Sequence, residues 1–279
     1  MRLDDILALS PHGADTYVGT GPRYPWGGLY GGQIVAQALQ AAAATVPPEL
    51  WVHSLRAYFI RRGDQDEPVR YEVDRIRNGR SFATRRVVAR QAIGAILNLE
   101  ASFQAHEESA DLHVVKSDDR LPGPDALTST SWTPAFERAF VPTEHLGADA
   151  RLGAGRAAAW MRTSEPIDGD LDTAGGALAH FAALAYLSDD LPTDAVIRAH
   201  PVGEEPEELR YRVLFTASLD HTIWFHRPMR ADHWHLHDFT CHSFVGGRGL
   251  SIGHVFDADG THVATVAQEV LLRDTRERA

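Results

Sequence analysis

Two runs of helical composition, QIVAQALQAAAATV after Gly31-Gly32 and ALAHFAALAYL after Gly175-Gly176, contain no Lys, Arg, Asp or Glu. A helix without a charged face has no side to turn toward water, so each must be buried almost all round. Each run precedes a series of segments rich in β-branched and aromatic residues, which read as strands. After the first come WVHSLRAYFI, VRYEVDRIR, SFATRRVVARQ and AILNLEASFQ. After the second come ELRYRVLFTASL, HTIWFHRP, HWHLHDFTCHSF, GLSIGHVFD and HVATVAQEVLLR.

The two series share landmarks in the same order. Ser54-Leu55 answers Ser218-Leu219, Phe59-Ile60-Arg61 answers Phe225-His226-Arg227, Gly79-Arg80 answers Gly247-Arg248, and Gln104 answers Gln268. The chain therefore reads as a duplicated unit. One helix followed by several strands is an α+β pattern, not the alternation of a parallel βαβ sheet. A curved antiparallel sheet wrapped around one central helix would bury that helix as its composition demands. Between the units the chain turns polar and rich in Pro, Gly and acidic residues, as in ESADLHVVKSDDRLPGPDALTSTS, which predicts a surface linker with a short helix near SWTPAFERAF. The expected division is residues 1–108, a linker at 109–156, and residues 157–279.

A formal charge of −11 argues against nucleic-acid partners, which need a surplus of basic residues on the binding face. Lys116 is the only lysine; the other basic residues are arginines, read as compositional bias. A single cysteine, Cys241, cannot form an intramolecular disulfide. The opening MRLDDILALS is acidic where a secretory signal is basic, and no apolar run approaches ~18 residues, so a cytoplasmic protein without a membrane partner is expected. No serine nucleophile elbow is expected, and neither G-x-G-x-x-G nor G-x-x-x-x-G-K occurs, so the chemistry has to come from residues far apart in the chain.

YGGQIVAQALQAA, HSLRAYFIRRGD, NGRSFATRRV and ASFQ in the first unit, with SLDHTIWFHRP, GGRGL and VAQE in the second, resemble the acyl-CoA thioesterase II family. The likeness runs through both units in order. It implies two tandem hot-dog domains, hydrolysis of fatty acyl-CoA to free fatty acid and coenzyme A, and a catalytic trio of Asp, Ser or Thr, and Gln in the second unit. Carried over residue by residue, the Asp is Asp189, ending Tyr186-Leu187-Ser188-Asp189. The hydroxyl is Ser218, two positions before Asp220-His221, and the amide is Gln268. Asp190 is a rival carboxylate, because Asp190-Leu191-Pro192 departs from the apolar continuation usual in the family.

Such a trio suits thioester hydrolysis without a cofactor. A carboxylate takes a proton from water, a hydroxyl and an amide hold that water in line, and the amides at a helix N-terminus receive the oxyanion. Either Gly31-Gly32 or Gly175-Gly176 would supply those amides. His233, His235 and His237 alternate and would share one strand face beside Cys241 and His242, a possible zinc cluster. Adjacent same-face histidines more often point into solvent, so no metal is expected, and Cys241 has no indicated triad partner. The fold that the resemblance implies also admits two other functions: a non-catalytic acyl-CoA-binding or lipid-binding module, and a hot-dog enoyl-CoA hydratase. Self-association is expected, since broad sheet faces and edge strands commonly pair.

Overall fold

The computed structural model describes residues 1–147 and 155–278; residues 148–154 of the expected linker lie outside it. The first half comprises helix α1 (Leu3–Leu7), strands β1 (Leu9–Pro11) and β2 (Thr16–Gly19), helix α2 (Gly31–Ala43), and strands β3 (Leu50–Phe59), β4 (Val69–Asn78), β5 (Phe82–Gln91) and β6 (Gly94–Ala105). Strands β7 (Ser129–Thr130), β8 (Phe136–Phe140) and β9 (Arg156–Thr163) follow. The second half continues with helices α3 (Ala174–Leu187), α4 (Pro192–Ala199) and α5 (Glu207–Val213). Its strands are β10 (Leu214–Ser218), β11 (Asp220–Phe225), β12 (His235–Val245), β13 (Arg248–Phe256) and β14 (His262–Asp274).

All strands join one antiparallel sheet in the order β1-β2-β4-β5-β6-β3-β11-β14-β13-β12-β9-β8-β7, with β10 also on β14. Read inward from either end, the halves match: β2, β4, β5, β6, β3 on one side and β9, β12, β13, β14, β11 on the other. The duplication seen in the residues is thus a duplication of topology. The halves meet where β3 pairs with β11, Ser54 lying opposite Trp224 and Tyr58 opposite Asp220.

The strand periods explain the core. Along β4 the residues Val69, Tyr71 and Val73 are buried, while Arg70 and Asp74 are exposed, and along β14 Ala264, Val266, Gln268 and Val270 point inward. Helices α2 and α3 are buried along nearly their whole length, as their missing charges require. They are buried partly against each other, not each within its own sheet alone. Complete burial of a large aliphatic such as Leu39 or Leu184 contributes roughly 1.5–3 kcal/mol. The buried amides of α2 are satisfied across the core: Tyr24 donates to Gln33 at 2.6 Å, Tyr71 donates to Gln37 at 2.6 Å, and Gln37 donates to the carbonyl of Thr20 at 2.9 Å.

Three expectations are corrected. SWTPAFERAF carries no helix; Phe136–Phe140 is β8, paired with β9, with Phe136 and Ala139 buried. The linker therefore contributes to the second half's sheet and does not merely cross its surface. ELRYRVLFTASL is not one strand, since its first part is α5 and extended backbone begins only at Leu214. Of the shared landmarks, Gly247 falls in a hairpin: Gly246 and Gly247, at φ +60° and +76°, form the two-residue turn between β12 and β13, a backbone that favours glycine.

The contact between the helices generates a test. A Cβ on Gly32 would lie 2.2 Å from the carbonyl oxygen of Tyr186, whereas one on Gly175 would meet nothing within 4 Å. Gly32→Ala should cost about 1–3 kcal/mol in denaturant unfolding, and Gly175→Ala should be neutral or stabilising by up to about 1 kcal/mol. Equal effects would mean that the close approach of α2 to α3 is not a constraint.

Candidate active site

Helix α3 ends on Leu187 with Ser188 as its cap, and the chain turns there so that Asp189 points into the seam between the halves. Asp189 is 6% exposed. Its Oδ2 accepts the backbone N–H of Gly32 at 2.9 Å, from the first turn of α2. Its Oδ1 accepts the hydroxyl of Ser218 at 3.1 Å. The Nε2 of Gln268 donates to that same hydroxyl oxygen at 2.8 Å. The three residues expected from the resemblance are therefore in contact, and the glycine pair beside them is Gly31-Gly32. Gly176 lies elsewhere, its amide bonded to the Thr173 hydroxyl at 3.1 Å as an ordinary helix cap.

A break in one strand brings the polar groups together. Ser218 ends β10 and His221 lies in β11, with Leu219 between the two strands. In an unbroken strand, residues three apart face opposite sides of the sheet. The break is held by Leu219 N–H on the carbonyl of Glu269 at 2.9 Å and by Glu269 N–H on the Asp220 carboxylate at 2.7 Å. Both Ser218 and His221 consequently reach Gln268: His221 Nδ1 lies 2.5 Å from Gln268 Oε1, and His221 Nε2 lies 2.9 Å from the hydroxyl of Ser188. Ser188 and His221 were only landmarks in the sequence. Their adjacency to Asp189 and Asp220 was visible there, but the contact of Ser188 with His221 and of His221 with Gln268 was not.

Burial dominates the electrostatics. It pushes the Asp189 carboxyl up to about 7, against the opposing pull of the Ser218 hydroxyl, the Gly32 amide and Gln268. It pushes His221 down to about 4, so this imidazole is neutral near pH 7. Asp190 is placed differently. One of its oxygens accepts the Trp132 indole N–H at 2.7 Å and the other pairs with the Arg138 guanidinium, which ties it to the linker strand and away from Ser218.

Other candidates stand outside this hydrogen-bonded group. His235 and His237 are completely buried with rings 4.9 Å apart, not turned to solvent, and burial keeps both neutral. Among the described residues no group of His, Cys, Asp or Glu is arranged to hold a metal ion. Cys241 sits among Val196, Val270 and Leu272, where burial raises its thiol, and its Sγ donates to the carbonyl of Ser243 at 3.4 Å. Against the expectation of no nucleophile elbow, Gly249-Leu250-Ser251-Ile252-Gly253 spells G-x-S-x-G. Ser251, however, is buried in mid-strand in β13, opposite Gln268, with no side-chain hydrogen-bond partner among the described residues, and it is not on a strand-to-helix turn. Two clefts, one lined by Leu3, Leu7, Gln40 and Ala179 and one by Trp160, Arg162 and Trp234, include none of the seam residues.

A carboxyl raised on folding stabilises the protein most below its unfolded value, and that stability is lost as pH rises through the folded one. Asp189→Asn mimics the protonated acid. At about pH 8 the variant should unfold at or above the wild-type temperature, with the difference vanishing toward pH ~4. A lower unfolding temperature at pH ~8 would show that the ionised carboxylate is a net stabiliser.

The profile of the acyl-CoA thioesterase N-terminal domain matches residues 20–104 and that of the C-terminal domain residues 109–272. Acyl-coenzyme A thioesterase 8 of Mus musculus is 34% identical over 300 residues, covering 96% of this chain and 88% of its own length. Acyl-CoA thioesterase 2 of Haemophilus influenzae is 33% identical over 267 residues, covering 88% of this chain and 87% of its own. Among solved structures, the acyl-CoA thioesterase II TesB2 of Mycobacterium marinum superposes with a TM-score of 0.81 at 34% identity, covering 98% of both chains. An Alicyclobacillus acidocaldarius protein described as having a hot-dog fold superposes at 0.75 with 21% identity, covering 97% of both chains, which extends the likeness to the fold alone. The chain belongs to the acyl-CoA thioesterase II family.

Proposed function

We propose that the protein hydrolyses acyl-CoA to the free acid and coenzyme A, with Asp189 as general base and Ser218 and Gln268 holding the attacking water. The observation that carries this reading is a buried carboxylate, raised to about 7, facing a hydroxyl and an amide that are bonded to each other. A base with that midpoint is ionised enough near neutrality to accept a proton and weak enough to return it. Water gives a proton to Asp189 while its oxygen bonds the thioester carbon. The tetrahedral oxyanion collapses with cleavage of the C–S bond, and the coenzyme A thiolate takes the proton back from Asp189. The first turn of α2, already against Asp189 through Gly32, brings the positive end of that helix to the site.

The architecture is read in the same terms as two tandem hot-dog domains, residues 1–108 and 157–279. Residues 109–156 join them and lend β7 and β8 to the second domain's sheet. On this division the base, hydroxyl and amide belong to the second domain, and the helix terminus that receives the carboxylate belongs to the first. No helix among the described residues is long and apolar enough to cross a membrane. A cytoplasmic location and self-association complete the reading, the latter expressed as a light-scattering mass above the 30.7 kDa of one chain.

Release of free thiol from palmitoyl-CoA, followed with a thiol reagent, tests the activity. Asp189→Asn should lower turnover by ~100-fold or more, the cost of a lost general base. Asp190→Asn should leave most of the rate in folded protein while weakening the tie to Arg138. Tight binding of palmitoyl-CoA without thiol release would identify a binding module, and water addition to an enoyl-CoA would identify a hydratase. A panel of acyl-CoA esters of graded length would then define the acyl preference.

A further inference from the structure

The seam contains two side chains that this mechanism does not use, Ser188 and His221, both completely buried and bonded to each other. Their hydrogen bonds continue to Gln268, Ser218 and Asp189 as an unbroken series of contacts. The direction of each bond follows from donor and acceptor capacity alone. An ionised carboxylate only accepts, so the Ser218 hydrogen must point at Asp189. Having given up its one hydrogen, Ser218 can only accept from Gln268, so the amide nitrogen faces Ser218 and the amide oxygen faces His221. That oxygen needs a donor, so the proton of the neutral imidazole is on Nδ1. Nε2 is then bare and takes the Ser188 hydrogen; the other acceptor near that hydroxyl, the carbonyl of Ala185, is farther away at 3.3 Å.

We propose that Ser188 and His221 are positioning residues of the hydrolytic site, a one-way hydrogen-bond chain that fixes the rotation of the Gln268 amide and thereby aims the Ser218 hydroxyl at Asp189. The proposal rests on Asp189 being the base. The opposite amide rotation shows why the chain matters. With Gln268 turned over, Ser218 would donate to Gln268 Oε1, and its oxygen would face Asp189 Oδ1 at 3.1 Å with no hydrogen between them. An ionised Asp189 is incompatible with that arrangement. Burial keeps the chain one-way, because an imidazole pushed down to about 4 stays neutral, with one N–H to give and one bare nitrogen to accept. The strand break at Leu219 and the helix cap at Ser188 also find a common purpose here, since the break brings Ser218 and His221 to Gln268 and the cap brings Ser188 to His221.

The tautomer is directly observable. In wild-type protein labelled with nitrogen-15 histidine, well above the carboxyl midpoint, His221 should show a protonated Nδ1 and a bare Nε2. A protonated Nε2 with a bare Nδ1 would mean that the chain runs the other way and would overturn the proposal. Kinetics supply the second readout. His221→Asn keeps an N–H in the Nδ1 position, whereas His221→Leu keeps bulk and apolar character but no donor. On stability alone, leucine should be tolerated at least as well as asparagine in this buried place. On turnover the order should reverse: kcat for asparagine should exceed that for leucine by roughly tenfold or more, with KM little changed. Ser188→Ala should likewise lower kcat more than it raises KM. Equal turnover for the two His221 variants would assign the histidine a packing role only. If Asp189→Asn itself left turnover intact, the hydrolytic reading would fail, and the tautomer measurement would still stand or fall on its own.

Discussion

Everything in this site depends on one interaction, the burial of the Asp189 carboxylate between two helix ends. Asp189 leaves the C-terminal end of α3, where the helix dipole is unfavourable to an anion. It is received by the N-terminal turn of α2, where the dipole and the Gly32 N–H favour one. That exchange is possible only because Gly31 and Gly32 carry no side chains. A Cβ on Gly31 would lie 2.5 Å from Asp189 Oδ2, and one on Gly32 would strike the Tyr186 carbonyl. The glycine pair that opens the first charge-free helix is therefore a requirement of the second half's carboxylate.

The same interaction explains why the chain contains two units in one continuous sheet. Neither half holds the assembly alone: the first supplies the amide, and the second supplies Asp189, Ser218, His221 and Gln268. Pairing of β3 with β11 fixes the two helices relative to each other. Burial and hydrogen bonding then compete for the carboxyl, and burial wins. The result is an acid whose two forms are nearly balanced at neutral pH.

Much of the fold was legible because its signals are local. The charge-free helices and the alternating strands β4, β5, β13 and β14 lie within a few residues of where the sequence puts them. Misreadings came where local preference competes with a distant partner. Phe136–Phe140 is only five residues long and becomes a strand by pairing with Arg156–Thr163, itself so rich in alanine that nothing marks it as extended. Glu207–Val213 alternates like a strand yet forms a helix before β10. At the site, family resemblance indicated Asp189, Ser218 and Gln268, which are 29 and 50 residues apart along the contacts they make. No sequence pattern carries the direction of a hydrogen bond, so Ser188 and His221 became meaningful only once their partners were in place.

The central claim is that Asp189 is a buried acid poised near neutrality. Its titration can be followed directly by isotope-edited infrared spectroscopy of the carboxyl, with Asp189→Asn protein as the blank. The account predicts a protonated-carboxyl band that disappears with a midpoint at about 7. A carboxyl already ionised below about pH 5, as an ordinary exposed aspartate would be, would contradict it.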